Sequence, residues 1–153
     1  MRPHRCEGDC DWSALLRLIQ AEFAYMDGRI DPPSSMLHLT EASIAAQAQG
    51  GEVWAIGTPP VACLFLTEKP GALYLGKLAV ASAHRGKGFA RQLVDLAVER
   101  ARDRQLPVVE LQTRVELLEN QAAFQAMGFV EVGRTAHAGY DRPTSITYRR
   151  TVF

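Results

Sequence analysis

The sequence predicts one domain, residues 1–153, of the α/β (α+β) class. Strands and helices alternate along it. A length of 153 residues is that of one domain. Apolar strand patterns and amphipathic helix patterns follow one another along the chain. An apolar strand ending at Val80 runs through a glycine-bearing turn into a helix, and another strand follows at Val108. This order demands a parallel pair with a right-handed crossover.

The first half of the chain is predicted to hold two helices and four strands. A short strand near Arg2 to Cys6 precedes an amphipathic helix from about Asp11 to Tyr25, which ends at Asp27-Gly28. Thr40 is a candidate cap for a second helix that stops at Gly50-Gly51. Turns containing proline then separate three predicted strands, which are Val53 to Gly57, Val61 to Thr67 and the long strand ending at Val80.

The second half is predicted to hold two helices and three strands. The helix after the glycine turn has an apolar stripe at helical spacing, which packs it on the preceding strand. A strand at Val108 to Thr113 follows, and the last helix begins near Asn120. The final two strands are Phe129 to Arg134 and Ser145 to Arg150, joined by the loop Thr135 to Thr144.

The turn between the strand ending at Val80 and its helix has the features of an anion site. Gly86 and Gly88 remove side chains where backbone amides must approach a ligand closely. The free N–H groups of the first helical turn point the same way, with the positive end of the helix dipole behind them. Positive charge is added by Arg85, Lys87 and Arg91. The turn therefore predicts a pyrophosphate ligand such as coenzyme A or a nucleotide.

Two common phosphate motifs do not fit this turn. A Walker A loop needs GxxxxGK followed by Ser or Thr, whereas Phe89 and Ala90 follow Gly88. A dinucleotide fingerprint needs a third glycine where Arg91 stands, and Glu110 is the one acidic residue placed to serve it.

The residues instead resemble the GNAT N-acetyltransferase family. Arg85-Gly86-Lys87-Gly88-Phe89-Ala90 matches its acetyl-CoA signature (R/Q)xxGx(G/A), and Leu78-Ala79-Val80 resembles its fourth strand. The run from Asn120 to Gly128-Phe129 is similar to the family pattern of Asn, a helix, and Gly-Phe opening a strand. The resemblance covers about residues 50 to 135.

The GNAT resemblance implies a central mixed, mostly antiparallel sheet of six to seven strands, flanked by about four helices. Its parallel fourth and fifth strands would splay apart so that the pantetheine arm lies between them, paired with the backbone of Leu78, Ala79 and Val80. The amides of residues 85–90, with Arg91 beside them, would hold the pyrophosphate. Asn120 would lie near the pantetheine or the acetyl end, or cap the fourth helix, and both roles can hold at once.

The chemistry implied by the resemblance is direct acetyl transfer from acetyl-CoA to a primary amine of a small molecule or protein, with no covalent enzyme. The N–H of Val80 would hold the oxyanion of the tetrahedral intermediate. A lysine-type amine has a pKa near 10.4, so its deprotonation at neutral pH costs roughly 4 to 5 kcal/mol. A base or ordered water chain should therefore help.

The chain departs from the family at both proton-transfer positions. Gly76 and Lys77 stand where many members carry a Glu base, and Glu110 is either its substitute or an exposed strand carboxylate. Phe124 stands beside the sulfur where the family commonly has a Tyr acid. Tyr140 would serve as that acid if the late loop folds over the sulfur; otherwise it packs a mobile lid.

The amine acceptor is expected between the first two helices and the late loop, and its identity cannot be read from the sequence. The residues expected near it are Tyr25, Arg29, Asp31, His137, Tyr140 and Asp141. Because the usual acid and base are missing, a second interpretation stays open. It is an acyl-CoA-binding module without turnover, used for sensing or partner binding.

Composition excludes several other classes. The chain has 17 basic and 17 acidic residues, so it offers no global field for nucleic acid or an anionic membrane, and no apolar run approaches a membrane span. The polar N-terminus predicts a cytoplasmic protein. Three cysteines argue against a disulfide framework, and no metal site is expected, because His4, Cys6 and Cys10 lack a fourth ligand. Cys63 is predicted to be a buried, inert thiol. A homodimer is left open.

Overall fold

The computed structural model describes residues 1–8 and 10–153 and has the predicted α/β class. Within these residues, seven strands form one sheet, and four α-helices flank it. The strands are β1 (Pro3–Cys6), β2 (Glu52–Ile56), β3 (Ala62–Lys69), β4 (Ala72–Val80), β5 (Val108–Arg114), β6 (Val130–Thr135) and β7 (Ser145–Thr151). The helices are α1 (Trp12–Phe23), α2 (Glu41–Gly50), α3 (Phe89–Asp103) and α4 (Leu118–Ala126).

The sheet order is β1-β2-β3-β4-β5-β7-β6. Every neighbouring pair is antiparallel except β4 and β5, which run parallel and are joined through α3. The predicted mixed sheet with one parallel pair is therefore confirmed. In the described part of the chain, no helix has both the length and the apolar character needed to cross a membrane.

The helices divide the apolar core into two layers, one on each face of the sheet. On one face, Leu93 and Ala97 of α3 are fully buried against β3, β4 and β5. On the other face, Leu15 and Ile19 of α1 and Ile44 of α2 pack against β2, β3 and β4. Burial of one such leucine or isoleucine side chain stabilises the fold by about 1.5–3 kcal/mol. Both faces of β4 are therefore held firmly.

The N-termini of the helices show which capping predictions hold. Thr40 caps α2 as predicted, and Ser43 completes a reciprocal capping box with it. The residue that precedes α4 is Leu117, which makes no side-chain capping bond. Asn120 lies inside the first turn of α4, so the prediction that it caps this helix is wrong. The helix reaches back beyond Asn120 because Gln121 N bonds to Leu117 O at 3.2 Å.

Candidate functional site

The site begins where the parallel strands separate. β4 and β5 pair only through Leu73 with Val109 and Tyr74 with Glu110. Beyond these two pairs, the edge of β4 that faces β5 has no strand partner among the described residues. An unpaired backbone edge inside a sheet leaves N–H and C=O groups without partners, and an extended ligand can satisfy them.

A β-bulge in β4 accompanies this separation. Cys63 lies opposite Ala79 and Phe65 lies opposite Gly76, so β4 carries one more residue than β3 between these pairs. Lys77, inside the bulge, has a left-handed φ of 50°. A bulge bends its strand and increases the local twist. The irregularity therefore turns the last part of β4 away from β5.

The register of β3 and β4 fixes the direction of the backbone groups near Val80. Ala81 N donates to Val61 O at 2.7 Å, so these two residues form a hydrogen-bonded antiparallel pair. Such pairs alternate with non-bonded ones. Val80, opposite Ala62, is therefore in a non-bonded pair, and its N–H and C=O face the β5 side. Ala79, by the same alternation, directs its N–H toward β3, so its amide is not open to the cleft.

A cavity of about 290 Å³ lies in the gap between the two strands. Its walls come from β4, β5, α4, the connection between α1 and α2, and the late loop. Most of its lining is apolar or uncharged, with three side chains that carry basic groups. The polar and charged lining residues are Ser34, Ser35, Tyr74, Lys77, Gln112, Thr113, Arg114, Asn120, His137 and Ser145.

The glycine turn opens the N-terminus of α3, as the sequence predicts. Gly86 and Gly88 have φ values of 80° and 82°, in the left-handed region that favours glycine. The first hydrogen bond of the helix runs from Gln92 N to Gly88 O at 3.0 Å. Within the described residues, the backbone amides of 86–91 donate to no protein acceptor. A Cβ at either glycine would meet nothing within 4 Å, so the space beside both glycines is open.

The charges around this turn are partly paired within the protein. Arg85 Nη2 lies 2.7 Å from a carboxylate oxygen of Glu22 on α1, whose other oxygen accepts a bond from Ser82 N at 3.0 Å. Lys87 Nζ lies 3.3 Å from His84 Nδ1. Sequence reasoning did not identify Glu22, because an acidic residue on an amphipathic helix carries no signal for a contact 60 residues away.

Glu110 is neither in the cavity nor an exposed strand carboxylate. Its residue exposure is 6%, and its carboxylate contacts Lys69 Nζ at 3.1 Å and Arg149 Nη2 at 2.9 Å. Burial acts to raise the pKa of Glu110, but hydrogen bonds from Lys69 and Arg149 outweigh it and lower the pKa. The two cations occupy this carboxylate, which leaves it a poor proton acceptor.

Tyr140 is directed at the connection between α1 and α2 and does not line the cavity. Its hydroxyl donates to Asp31 Oδ1 at 2.5 Å, and Arg142 Nη2 contacts Asp31 Oδ2 at 3.1 Å. The bond to Asp31 raises the pKa of Tyr140. Asp31 N in turn donates to Glu116 Oε2 at 3.1 Å. These contacts tie the late loop to the chain that follows α1.

The other residues expected near the acceptor divide into two groups. His137 lines the cavity, whereas Tyr25 and Arg29 lie outside its lining. Tyr25 and Asn120 are in contact, with Asn120 Nδ2 3.3 Å from the tyrosine hydroxyl, and Arg29 Nη2 pairs with Glu119 at 2.7 Å. Asp31 pairs instead with Arg142. Asp141 is exposed and also lies outside the cavity lining.

Two lining residues that sequence reasoning did not single out shape the cavity. Arg114 Nη1 donates to Pro32 O at 2.7 Å, which anchors the chain between α1 and α2 to the end of β5. Burial lowers the pKa of Arg114. Burial raises the pKa of Tyr74, and the nearby charge of Glu110 raises it further. Burial lowers the pKa of Lys77, whose Nζ contacts Gln47 Oε1 at 2.9 Å.

Two further sequence predictions concern Phe124 and Cys63. Phe124 lines the cavity and meets Phe129 edge-on, with ring centroids 6.0 Å apart. It therefore presents an apolar ring to the cavity. Cys63 is fully buried in β3, and burial raises the pKa of its thiol to about 12. The predicted burial of this thiol is confirmed.

Comparisons with known proteins agree with this architecture. The family model described as "Acetyltransferase (GNAT) family" matches residues 12–129. N-alpha-acetyltransferase 30 of Saccharomyces cerevisiae (strain ATCC 204508 / S288c) is 32% identical over 85 residues, which cover 51% of this chain and 48% of the yeast protein. The match thus spans about half the length of that curated relative.

Two solved structures share the whole fold. An acetyltransferase from Streptococcus agalactiae 2603 has a TM-score of 0.75 at 17% identity, with 98% of this chain and 97% of that chain covered. A chain in the structure of the NatC complex bound to Gag peptide and CoA has a TM-score of 0.66 at 20% identity, with 99% of both chains covered. At these identities the likeness shows the fold.

The diverging parallel strands and the amide-lined turn define a class of proteins that can hold an extended anionic ligand across the centre of a sheet. The family model covers well over half of the sequence and includes both features. The chain belongs to the acetyltransferase (GNAT) family, whose members use acetyl-CoA.

Proposed function

We propose that this protein is an N-acetyltransferase that moves the acetyl group of acetyl-CoA directly to a primary amine. The observation that carries the proposal is the run of unsatisfied amides at residues 86–91, which opens beside the unpaired edge of β4. The amides would bind the diphosphate, with Arg85, Lys87 and Arg91 adding charge. Helix dipole and backbone donors together favour an anion there.

The pantetheine arm would lie along the open edge of β4. Leu78 and Val80 alternate with Ala79, whose amide faces β3, so we assign the amide contacts to Leu78 and Val80. Asn120 and Phe124 line the same cavity and would contact the arm or its thioester end. This retains the predicted contact residues except the amide of Ala79.

Val80 N–H is the proposed donor to the oxyanion of the reaction. It faces the β5 side two residues beyond Leu78, the last residue of β4 that lines the cavity. Backbone N–H groups fixed in a strand need no reorganisation as charge develops. Loss of one such donor typically costs about 10²–10³-fold in turnover. Glu110 and Tyr140 are left as structural residues in this proposal, because the Glu110 carboxylate is paired with Lys69 and Arg149 and the Tyr140 hydroxyl donates to Asp31.

The proposed acceptor is a primary amine of a small molecule or a protein, and a protein α-amino group is the first to test. The yeast relative is named for N-alpha-acetylation, and the NatC structure is described as bound to a peptide. The cytoplasm is the proposed compartment. A homodimer also stays a proposal, for which the exposed Val130 and Val132 of edge strand β6 are a candidate contact.

The proposal is tested by following free thiol release from acetyl-CoA. The acceptors are peptides with a free α-amino group, L-lysine and short diamines, each with an N-acetylated form as the matched control. We expect release that depends on the free amine, together with product heavier by one acetyl group. Tight acetyl-CoA binding without amine-dependent release from any acceptor would instead support the acyl-CoA-binding module.

A further inference from the structure

The transfer needs a proton acceptor, since an amine that is protonated cannot attack the thioester. Among the described residues that line the cavity, none carries a carboxylate. Tyr74 keeps its proton, because burial raises its pKa further. Lys77 is directed to Gln47 on α2. His137 is the imidazole of the lining, and an imidazole can take a proton near neutral pH.

The hydrogen bonds of Thr144 orient the ring of His137. Thr144 is fully buried, and its Oγ1 accepts a bond from His137 N at 2.9 Å and also contacts Nδ1 of the same histidine. The threonine hydroxyl lies 3.4 Å from Thr135 O, to which it can donate its one proton. A hydroxyl oxygen has two lone pairs and one hydrogen. All three contacts are satisfied together only when Nδ1 carries the imidazole proton.

This tautomer places the lone pair of the ring on Nε2. In the described part of the chain no protein group hydrogen-bonds to Nε2. His137 is half-buried near the start of the late loop, two residues after β6, where the loop meets the cavity. A histidine held through Nδ1, with Nε2 left for the substrate, has the arrangement of a general base.

We propose that His137 Nε2 is the general base of the acetyl transfer, an inference that rests on the proposed function. The protonated amine gives one proton to Nε2, and its nitrogen forms a C–N bond with the thioester carbon. The C–S bond then breaks, and the second proton of the nitrogen goes to the leaving sulfur. The imidazolium returns its proton to water, so the products are an amide, free CoA and one proton.

The groups that face the same cavity influence this base. They are Tyr74 and Lys77 on β4 and Arg114 on β5, and the last two are cations. On the loop side, Thr144 faces the ring. Among the described residues of the lining, no carboxylate competes with His137 for the proton of the amine.

The test compares His137→Gln with the wild type over the range from about pH 6 to about pH 10. His4→Gln is the control, because His4 is exposed on β1, at the opposite edge of the sheet. The acceptor is the most active free-amine peptide or diamine of the panel above. Acetyl-CoA affinity is measured by calorimetry for each protein.

We expect His137→Gln to lose about 100-fold in kcat/KM near neutral pH while it binds acetyl-CoA as the wild type does. The loss should shrink as the pH passes the pKa of the acceptor amine, since the amine then arrives without its extra proton. His137→Ala should regain turnover when imidazole is added. His4→Gln should follow the wild type throughout.

The outcomes separate this inference from the function beneath it. Wild-type turnover that His137→Gln leaves unchanged, or lowers equally at every pH without imidazole rescue of His137→Ala, overturns the base assignment and leaves the acetyltransferase proposal intact. A wild type that shows no amine-dependent thiol release overturns the proposed function and the base assignment with it.

Discussion

Glu52 and Glu110 are two buried carboxylates of the sheet, and each is neutralised by two cations. Glu52, exposed by 1%, contacts Arg100 of α3 at 2.8 Å and Arg104, the residue after α3, at 2.5 Å. Burial acts to raise the pKa of Glu52, but bonds from Arg100, Trp54 and Arg104 outweigh it and lower the pKa to about 2. Such groups bind the fold together, in contrast to a catalytic base, which must be able to take a proton near neutral pH.

Glu52→Gln should therefore destabilise the protein strongly. The substitution keeps the size of the side chain but removes the charge that faces Arg100 and Arg104, which are themselves largely covered. We expect a loss of about 3 kcal/mol in the free energy of unfolding, measured by urea denaturation. Asp103→Asn, which removes only an exposed partner of Arg100, is the matched control and should change it by less than about 0.5 kcal/mol.

The same carboxylate should make stability depend on acid. Because its folded pKa lies below its unfolded value, the stabilisation is present above about pH 4.5 and is lost as the pH falls toward about 2. Glu52→Gln should flatten this part of the stability profile. If the free energy of unfolding of Glu52→Gln fell as steeply with acid as that of the wild type, other carboxylates would be responsible for the acid dependence.

Glu110→Gln distinguishes a structural carboxylate from a catalytic one. Lys69 and Arg149 are about half exposed, so the lost pairing should lower the free energy of unfolding by about 1 kcal/mol. Because Glu110 does not line the cavity, kcat/KM should stay within about twofold of the wild type. A selective loss of kcat with unchanged stability would restore Glu110 as the base.

Some residue roles in the site could be predicted from the sequence, and others could not. The role of Gly86 and Gly88 in the turn could be predicted, because the need for a left-handed backbone there is local. Both residues have the positive φ values that this role requires. The burial of Glu110 and the direction of the Tyr140 side chain could not be predicted. The first depends on Lys69 and the second on Asp31, and each partner lies far away in the chain. His137 has no motif around it, and its bond to Thr144 arises only when the loop closes on itself.

At the scale of elements, the important unit is β4 together with the turn and helix that follow it. Its end at Val80 and the start of α3 at Phe89 follow from the apolar run and the glycine turn, so the sequence predicts both. The β-bulge at Lys77 was not predicted, because a lysine with positive φ gives no signal in a strand pattern. That bulge accompanies the divergence from β5, where the cavity lies.

A substitution at Gly88 tests the segment in which β4, the glycine turn and α3 meet. Gly88→Leu places a side chain with an unfavourable left-handed backbone in the open space before the amides, at a cost of about 1–2 kcal/mol in stability. We expect acetyl-CoA affinity to fall at least tenfold by calorimetry. Gly71→Leu is the matched control, since Gly71 has φ 74° and an equally open Cβ position but lies in the turn between β3 and β4. Equal losses of affinity in both variants would mean that the anion site is misassigned.

At the scale of the whole molecule, the fold follows from the order of its elements. The chain begins with three antiparallel strand pairs, continues through one strand-helix-strand crossover and ends with an antiparallel pair. This order leaves few ways to build a sheet. The insertion of β7 between β5 and β6 was not predictable from pattern, since β6 and β7 have similar sequence patterns. The observed strand order places the parallel pair of β4 and β5 at the centre of the sheet, with one core layer on each face.

Ligand binding at this centre should stabilise the molecule as a whole, because both core layers pack against β4. A ligand that binds only the folded state, at 100 times its Kd, adds about 2.7 kcal/mol. For a chain of this size that corresponds to a rise in Tm of about 5–10 °C. Differential scanning calorimetry with acetyl-CoA should show this rise. Pantetheine, which has no diphosphate for the amides of residues 86–91, should give almost none at the same concentration. An equal rise with pantetheine would locate the binding energy in the cleft between β4 and β5 and outside the turn.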